Sequence, residues 1–148
     1  MAQINIYTQQ IVVGQDDIDM QRRVSNLRYV AWMQDVAHSA VCGWPMDRYE
    51  SIVQGWVVRQ HTITYKRPAF LGDVITAATW IGSYASRRST RRYIFWNTTE
   101  KTLLAEAETQ WVFIDMASGK PVSVPEELQA SFPIVDKDAT EIFRQLSA

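Results

Sequence analysis

Hydrophobic and polar positions divide the chain into an opening strand, a charged loop, one amphipathic helix and four further strands. Residues 3–13 (QINIYTQQIVV) mix β-branched residues and tyrosine with polar ones and read as a strand. The next stretch, GQDDIDMQRRVS, is polar, lacks a period and predicts a loop. From about Asn26 the pattern changes. Val30, Met33, Ala37, Ala40, Val41 and Trp44 recur at three- and four-residue spacing, one face of a helix. Ser25 or Asn26 supplies an N-cap, and Gly43 followed by Pro45 a stop signal. A short helical turn is expected within 45–54. Four strand-like segments follow: WVVRQHTITYKR, DVITAATWIGSYA, TRRYIFWNTT and LLAEAETQWVFID. In the last, Ala105, Ala107, Thr109, Trp111 and Phe113 alternate with Glu106, Glu108 and Gln110, so one face is buried and the other wet. PAFLGD, ASRRS and TEK supply the turns between them. A proline-bounded stretch, KPVSVPEELQASFP, then leads to a short C-terminal helix over 138–146.

This order predicts an α+β architecture, one long helix facing a curved antiparallel sheet of about five strands. The 148 residues fit a single domain, 1–148, with no internal repeat and no linker. One helix covers one face of such a sheet and leaves its strand edges open. Pairing with a second copy would bury them, so a homodimer or a dimer of dimers is expected.

Composition narrows the function. Hydrophobic residues make up 47% and charged ones 21%, the balance of a globular domain with a substantial core. Most of the six Trp, six Tyr and five Phe fill that core, and the remainder can line a cavity or an interface. A net charge of −1 argues against nucleic-acid binding. Yet four of the eleven arginines fall within Arg87–Arg92 (RRSTRR), which suits a small anionic ligand better than a polymer. The one cysteine, Cys42, cannot form an internal disulfide, and its apolar helical context reads as a packed thiol. The start, MAQINIYTQQ, lacks the basic and apolar regions of a signal peptide, and no apolar run is long enough to span a bilayer, so no membrane partner is expected and the cytoplasm is the default.

Chemistry concentrates in the loop before the helix. Asp16-Asp17-Ile18-Asp19 places three carboxylates just ahead of a helix N-terminus. By spacing alone they read as a solvated acidic loop that complements the helix dipole. The glycine turn and distal glutamate of a calcium loop are missing, as is a histidine pair, so neither a metal nor another cofactor is expected. The run DIDMQRRVSNLRYVAWMQD resembles the motif of hotdog-fold thioesterases, Asp-x-Asp followed by His-Val-Asn-Asn-x-x-Tyr. It is similar to the 4-hydroxybenzoyl-CoA thioesterase-like group and to plant acyl-ACP thioesterases, whose Asp-Leu-Asp-Met is close to Asp17-Ile18-Asp19-Met20. Tyr65 through Asp73 (YKRPAFLGD) matches the family's Tyr-x-x-Pro-x-x-x-Gly-Asp strand-turn. Gln110 through Asp115 matches its last strand, and the tail Pro121…Pro125-Glu126-Glu127 agrees. Each motif is weak alone; in this order they are fairly specific and span nearly the whole chain.

The resemblance implies a hotdog fold and an acyl-CoA thioesterase. It makes Asp19 the catalytic carboxylate, attacking the thioester carbonyl or activating a water. It makes the backbone N–H of Asn26 the donor to the carbonyl oxygen, a role that the unpaired amides of a helix start can fill. It places Arg87, Arg88 and Ser89 at a turn that contacts coenzyme A phosphates, across the dimer; a solvated charged turn is the alternative. By strand alternation Arg91 and Arg92 face opposite sides, so the four arginines cannot share one ligand.

The sequence departs from the family pattern where Arg23 replaces the usual His, Arg22 a Gly or small residue, and Ser25 the first Asn. A thiol leaves as a thiolate with a pKa of about 8.5, so a carboxylate and oriented amides can suffice without that His. Three roles stay open for Arg23: holding Asp19 ionised, binding a polar group on the acyl chain, or pairing with Asp17. His61 on its strand reads as half-buried and hydrogen-bonded rather than catalytic, and Asp35 and His38 stand one helical turn apart, where they could pair. Acyl-CoA hydrolysis is the leading reading. Hydrolysis of an acyl chain on acyl carrier protein, or acyl-thioester binding without catalysis, are the alternatives.

Overall fold

The computed structural model describes residues 5–41 and 54–148. Cys42, Trp44, the Gly43–Pro45 stop signal and nearly all of the turn expected over 45–54 lie outside the described residues. Strand β1 (Ile6–Val12) leads through a 3-10 turn (Gln15–Asp17) into helix α1 (Asn26–Val41). Strands β2 (Gln54–Tyr65), β3 (Val74–Tyr84), β4 (Arg88–Asn97) and β5 (Thr102–Asp115) follow, then helices α2 (Glu126–Ser131) and α3 (Ala139–Ser147). The five strands form one antiparallel sheet in the order β1-β3-β4-β5-β2. This is the α+β hotdog arrangement, with β1 and β2 at the edges.

Ser25 starts the helix: its Oγ accepts the Leu27 N–H at 3.2 Å and its carbonyl the Arg28 N–H at 3.0 Å. The buried face of α1 is Tyr29, Trp32, Met33, Val36, Ala37 and Ala40. It is thus turned slightly from the set the periodicity suggested, and Val30 stands at its margin, half-buried. The difference comes from Tyr29 and Trp32. Their large rings reach the sheet and meet Phe95, with Tyr29 edge-on to Trp32 at 5.2 Å and to Phe95 at 5.3 Å.

Alternation on β4 assigns each residue a face. Arg91, Tyr93 and Phe95 point with the α1 side, where Tyr93 and Phe95 join Tyr29, Trp32, Met33 and Val36 in the main core. Ile94 and Trp96 point to the other side and pack with Ala78 and Trp80 against Ile142, Phe143 and Leu146 of α3. The C-terminal helix therefore covers the second face over β3 and β4, which corrects the expectation of a sheet covered on one face only. Its amphipathic stripe, Ile142, Phe143 and Leu146, buries against this apolar surface. Asp138 caps it by accepting the Glu141 N–H at 2.8 Å. Helix α2 was not anticipated. It is short, proline-bounded, and held by Leu128 and Phe132 packing on Ile81 and Phe113.

Candidate functional site

The loop that carries Asp19 is fixed by its own backbone. Asp17 is buried; its Oδ2 accepts the Gly14 N–H at 2.8 Å and its carbonyl accepts the Ser25 N–H at 2.9 Å. Arg28 Nε stands 2.6 Å from Asp17 Oδ1, an ion pair whose angle falls short of a hydrogen bond. Asp17 therefore pairs with Arg28, not with Arg23, which removes one of the three roles left open for Arg23. Two residues on, Asp19 and Arg23 close a tight turn, Asp19 N–H to Arg23 O at 2.8 Å and Arg22 N–H to Asp19 O at 3.0 Å. The turn requires a left-handed backbone at Arg22, φ 64°, so the family's glycine or small residue there has a steric reason.

Asp19 is exposed at the rim of a cleft of about 310 Å³, lined also by Arg23, Asn26, Tyr29 and Tyr65. Its Oδ1 accepts the Gln21 N–H at 2.8 Å, with the Arg23 N–H at 3.4 Å. Its Oδ2 has no partner among the described residues, and the Arg23 side chain makes no ion pair with it there. One carboxylate oxygen is oriented by amides and the other is free. The Asn26 N–H, first of the helix, likewise has no acceptor among the described residues.

Two tyrosines complete the cleft, and neither was singled out as a site residue from the sequence. Tyr65 donates its hydroxyl to the Asn26 carbonyl at 3.3 Å. The Tyr29 hydroxyl is buried with no hydrogen-bond partner among the described residues. Burial, aided by Tyr65 and the Asp73 carboxylate, pushes that phenol up to about 12, so at neutral pH it is a neutral donor. Its position three residues after Asn26, on the same helical face, was the available signal.

The arginine turn lies elsewhere. The β3–β4 turn has Ser86 and Arg87 at its tip, closed by the Ala85 N–H to Arg88 O bond at 2.9 Å. Arg87 and Arg88 are exposed. Ser89, expected at the turn, is instead the second residue of β4 and only 3% exposed, with its hydroxyl donated to the Ser83 carbonyl at 3.3 Å. Strand alternation turns it inward, so its side chain does not stand with Arg88. Asp19 shares its cleft with Tyr65 and Ala69, and the loop that runs on from Ala69 reaches Asp73 at the Asn97 end of β4. Nine residues of extended strand separate that end from Arg88, about 30 Å. Within one chain Asp19, Arg23 and Asn26 come together; Arg87, Arg88 and Ser89 do not join them.

His61 is half-buried on β2, its Nδ1 2.8 Å from Thr109 Oγ1, which donates to the Tyr93 hydroxyl at 3.0 Å. Burial lowers the His61 pKa, so the imidazole is held neutral as a member of this hydrogen-bond chain. Asp35 and His38 are exposed and form no ion pair among the described residues.

Relatives give this geometry a context. No curated protein matches the sequence. Among solved structures, a 1,4-dihydroxy-2-naphthoyl-CoA thioesterase from Synechocystis superposes with a TM-score of 0.78 at 19% identity, covering 90% of this chain and 99% of that one. A hypothetical protein from Staphylococcus aureus, solved in complex with CoA, gives 0.78 at 18% identity over 95% of each chain. A 12:0-ACP thioesterase from Umbellularia californica gives 0.77 at 16% identity, over 92% of this chain but 54% of its own. At these identities the likeness is one of fold. The sequence profile of the thioesterase-like superfamily matches residues 13–132, and the chain belongs to that superfamily.

Proposed function

We propose that the protein is an acyl-CoA thioesterase, a thioester hydrolase built as a single hotdog domain over 1–148. The observation that carries the reading is that Asp19 and Asn26 line one cleft: a carboxylate with one free oxygen and a helix-start N–H with no acceptor among the described residues. A thioester carbonyl oxygen seated on that N–H is polarised as negative charge develops. Asp19 then adds to the carbonyl carbon, or takes a proton from a water that adds. The C–S bond breaks and CoA leaves as a thiolate, which takes up the proton that the attacking water gives up. If Asp19 adds, that water instead hydrolyses the resulting anhydride, freeing the acid and restoring the Asp19 carboxylate. The net reaction is the same: thioester plus water gives free acid and CoA. The neutral Tyr29 hydroxyl, buried and unpartnered, is placed to donate to the substrate.

Coenzyme A phosphates would meet Arg87 and Arg88 of a second copy. The outer edge of β2 is long and open, and it exposes Val57 and Val58. Antiparallel pairing of two such edges puts the second copy's β3–β4 turn at the end of the combined sheet where Asp19 lies. Counted from Tyr65 of β2, which lines the Asp19 cleft, three strand spacings, about 15 Å, then separate the cleft from that turn sideways. This supports a homodimer, alone or as half of a dimer of dimers. A carrier-protein substrate is the second reading, favoured by the resemblance of Asp17–Met20 to the plant acyl-ACP enzymes and by the fold shared with the 12:0-ACP thioesterase.

A thiol-release screen over short, medium, long and aromatic acyl-CoAs tests hydrolysis, with Asp19→Asn as control. Thiol release that is equal in wild type and Asp19→Asn removes Asp19 from the reaction, and none with any substrate refutes the activity. Single turnover in ¹⁸O-water separates the two routes, since label enters Asp19 only if it is the nucleophile. 3′-Dephospho-CoA thioesters separate the two substrates: discrimination against them favours CoA, its absence the carrier.

A further inference from the structure

A second cavity, of about 250 Å³, opens against the last turns of α1 and contains a buried cation with no counter-ion among the described residues. Its walls are mostly apolar, among them Val41, Trp56, Ile81, Leu128 and Phe132, and among the described residues its lining includes no aspartate or glutamate. Into it points Arg91, 6% exposed, on the α1 side of β4. One guanidinium nitrogen, Nη1, donates to Thr79 Oγ1 at 3.2 Å. The fork's other N–H groups have no acceptor, and no carboxylate pairs with it, among the described residues. Nearby phenols do not serve as counter-anions. Tyr84 donates to the Phe132 carbonyl at 2.8 Å and is pushed up to about 12 by burial, and burial also raises Tyr93. Both stay neutral; burial lowers the Arg91 pKa from its very high ordinary value, and the guanidinium keeps its charge.

A desolvated, unpaired charge is costly, and an arginine fork suits a carboxylate bidentately. Charge, shape and apolar walls together define a ligand. The geometry points to this cavity as a binding site for a small carboxylic acid, its carboxylate on Arg91 and its apolar body against Trp56, Leu128 and Phe132. An apolar cavity of roughly 150 Å³ admits a benzene-sized guest, so this one accommodates a ring or short alkyl chain with its carboxylate. Gln34 and His38, exposed on α1, form the mouth. The site is distinct from the cleft at Asp19. Eleven residues of helix separate Asn26 from Ala37, about 17 Å.

Calorimetric titration of the full chain in chloride-free buffer tests this, with benzoate and hexanoate against the neutral benzamide and hexanamide. The acids are expected to bind at least about tenfold tighter than the amides, the margin of a charge-assisted hydrogen bond. Arg91→Met should abolish the preference, and Arg144→Met, on the exposed side of α3, should keep it. Equal affinities for acid and amide, acid binding unchanged in Arg91→Met, or no saturable binding overturns the site. If Arg91→Met fails to fold, the acid-to-amide ratio of the wild type decides, together with indole N–H shifts of Trp56 and Trp111 on adding benzoate. Their absence refutes the site. The readout needs no turnover, so it stands or falls separately from thioester hydrolysis.

Discussion

Asp17 and Asp19 are two residues apart in one acidic run, yet Asp17 is buried and Asp19 is exposed at the cleft, so substitution should separate stability from turnover. The buried Asp17 carboxylate holds the Gly14 N–H at 2.8 Å and stands 2.6 Å from Arg28 Nε. Asp17→Ala removes a hydrogen bond to a charged acceptor, about 1.5–3 kcal/mol, and leaves the half-buried Gly14 N–H without that acceptor. The Arg28 side chain is 42% exposed, so solvent screening limits the ion pair to at most about 1 kcal/mol more. The sum, about 2–4 kcal/mol, corresponds to a Tm about 5–15 °C lower for a chain of this size. Asp19 is exposed and bonded through one oxygen to a local amide, so Asp19→Asn should change stability by no more than about 0.5 kcal/mol. Its turnover of acyl-CoA should instead fall about 10²–10⁴-fold, the range for loss of a positioned base or nucleophile. Thermal denaturation by circular dichroism and a thiol-release assay read the two effects. A wild-type Tm in Asp17→Ala, or a Tm loss in Asp19→Asn as large as that in Asp17→Ala, would refute the reasoning.

Arg88→Ala is expected to raise KM for acyl-CoA about three- to tenfold with kcat little changed, and the wild-type KM should climb with salt; a kcat defect of equal size would take Arg88 out of a purely binding role. Burial lowers the folded-state pKa of His61, so the unfolded chain binds its proton more readily. The stability this contributes is complete above the ordinary histidine pKa and is lost as pH falls through the lowered folded value. The Tm should therefore drop on acidification below about pH 6.5, and His61→Gln should flatten that part of the profile. Ile142→Ala should cost about 2–5 kcal/mol in chemical denaturation, because the side chain is fully buried between α3 and the sheet; a cost below 1 kcal/mol would mean that α3 is detachable.

The sequence alone determined the elements and their order: β1, a charged loop, α1, then four antiparallel strands and a closing helix. These follow from local rules, the two-residue period of strands and the three-to-four-residue period of a helix face, and need no knowledge of what each element meets. The same alternation separated Arg91 from Arg92, and motif order was enough to bring Asp19, Arg23 and Asn26 into one region. Helix α2 was missed because six residues between prolines carry too little period to read. What only the tertiary structure decided is which residues share an end of the sheet and which charges lose their partners. Antiparallel pairing places the Arg87–Arg88 turn about 30 Å from Asp19 in the same chain. Strand position turns Ser89 inward, and Arg28 takes Asp17 away from Arg23. The isolation of Arg91 could not be read from RRSTRR, because a counter-ion is supplied or withheld by strands and helices distant in sequence. Periodicity acts between neighbours along the chain, whereas strand order and desolvation act through space.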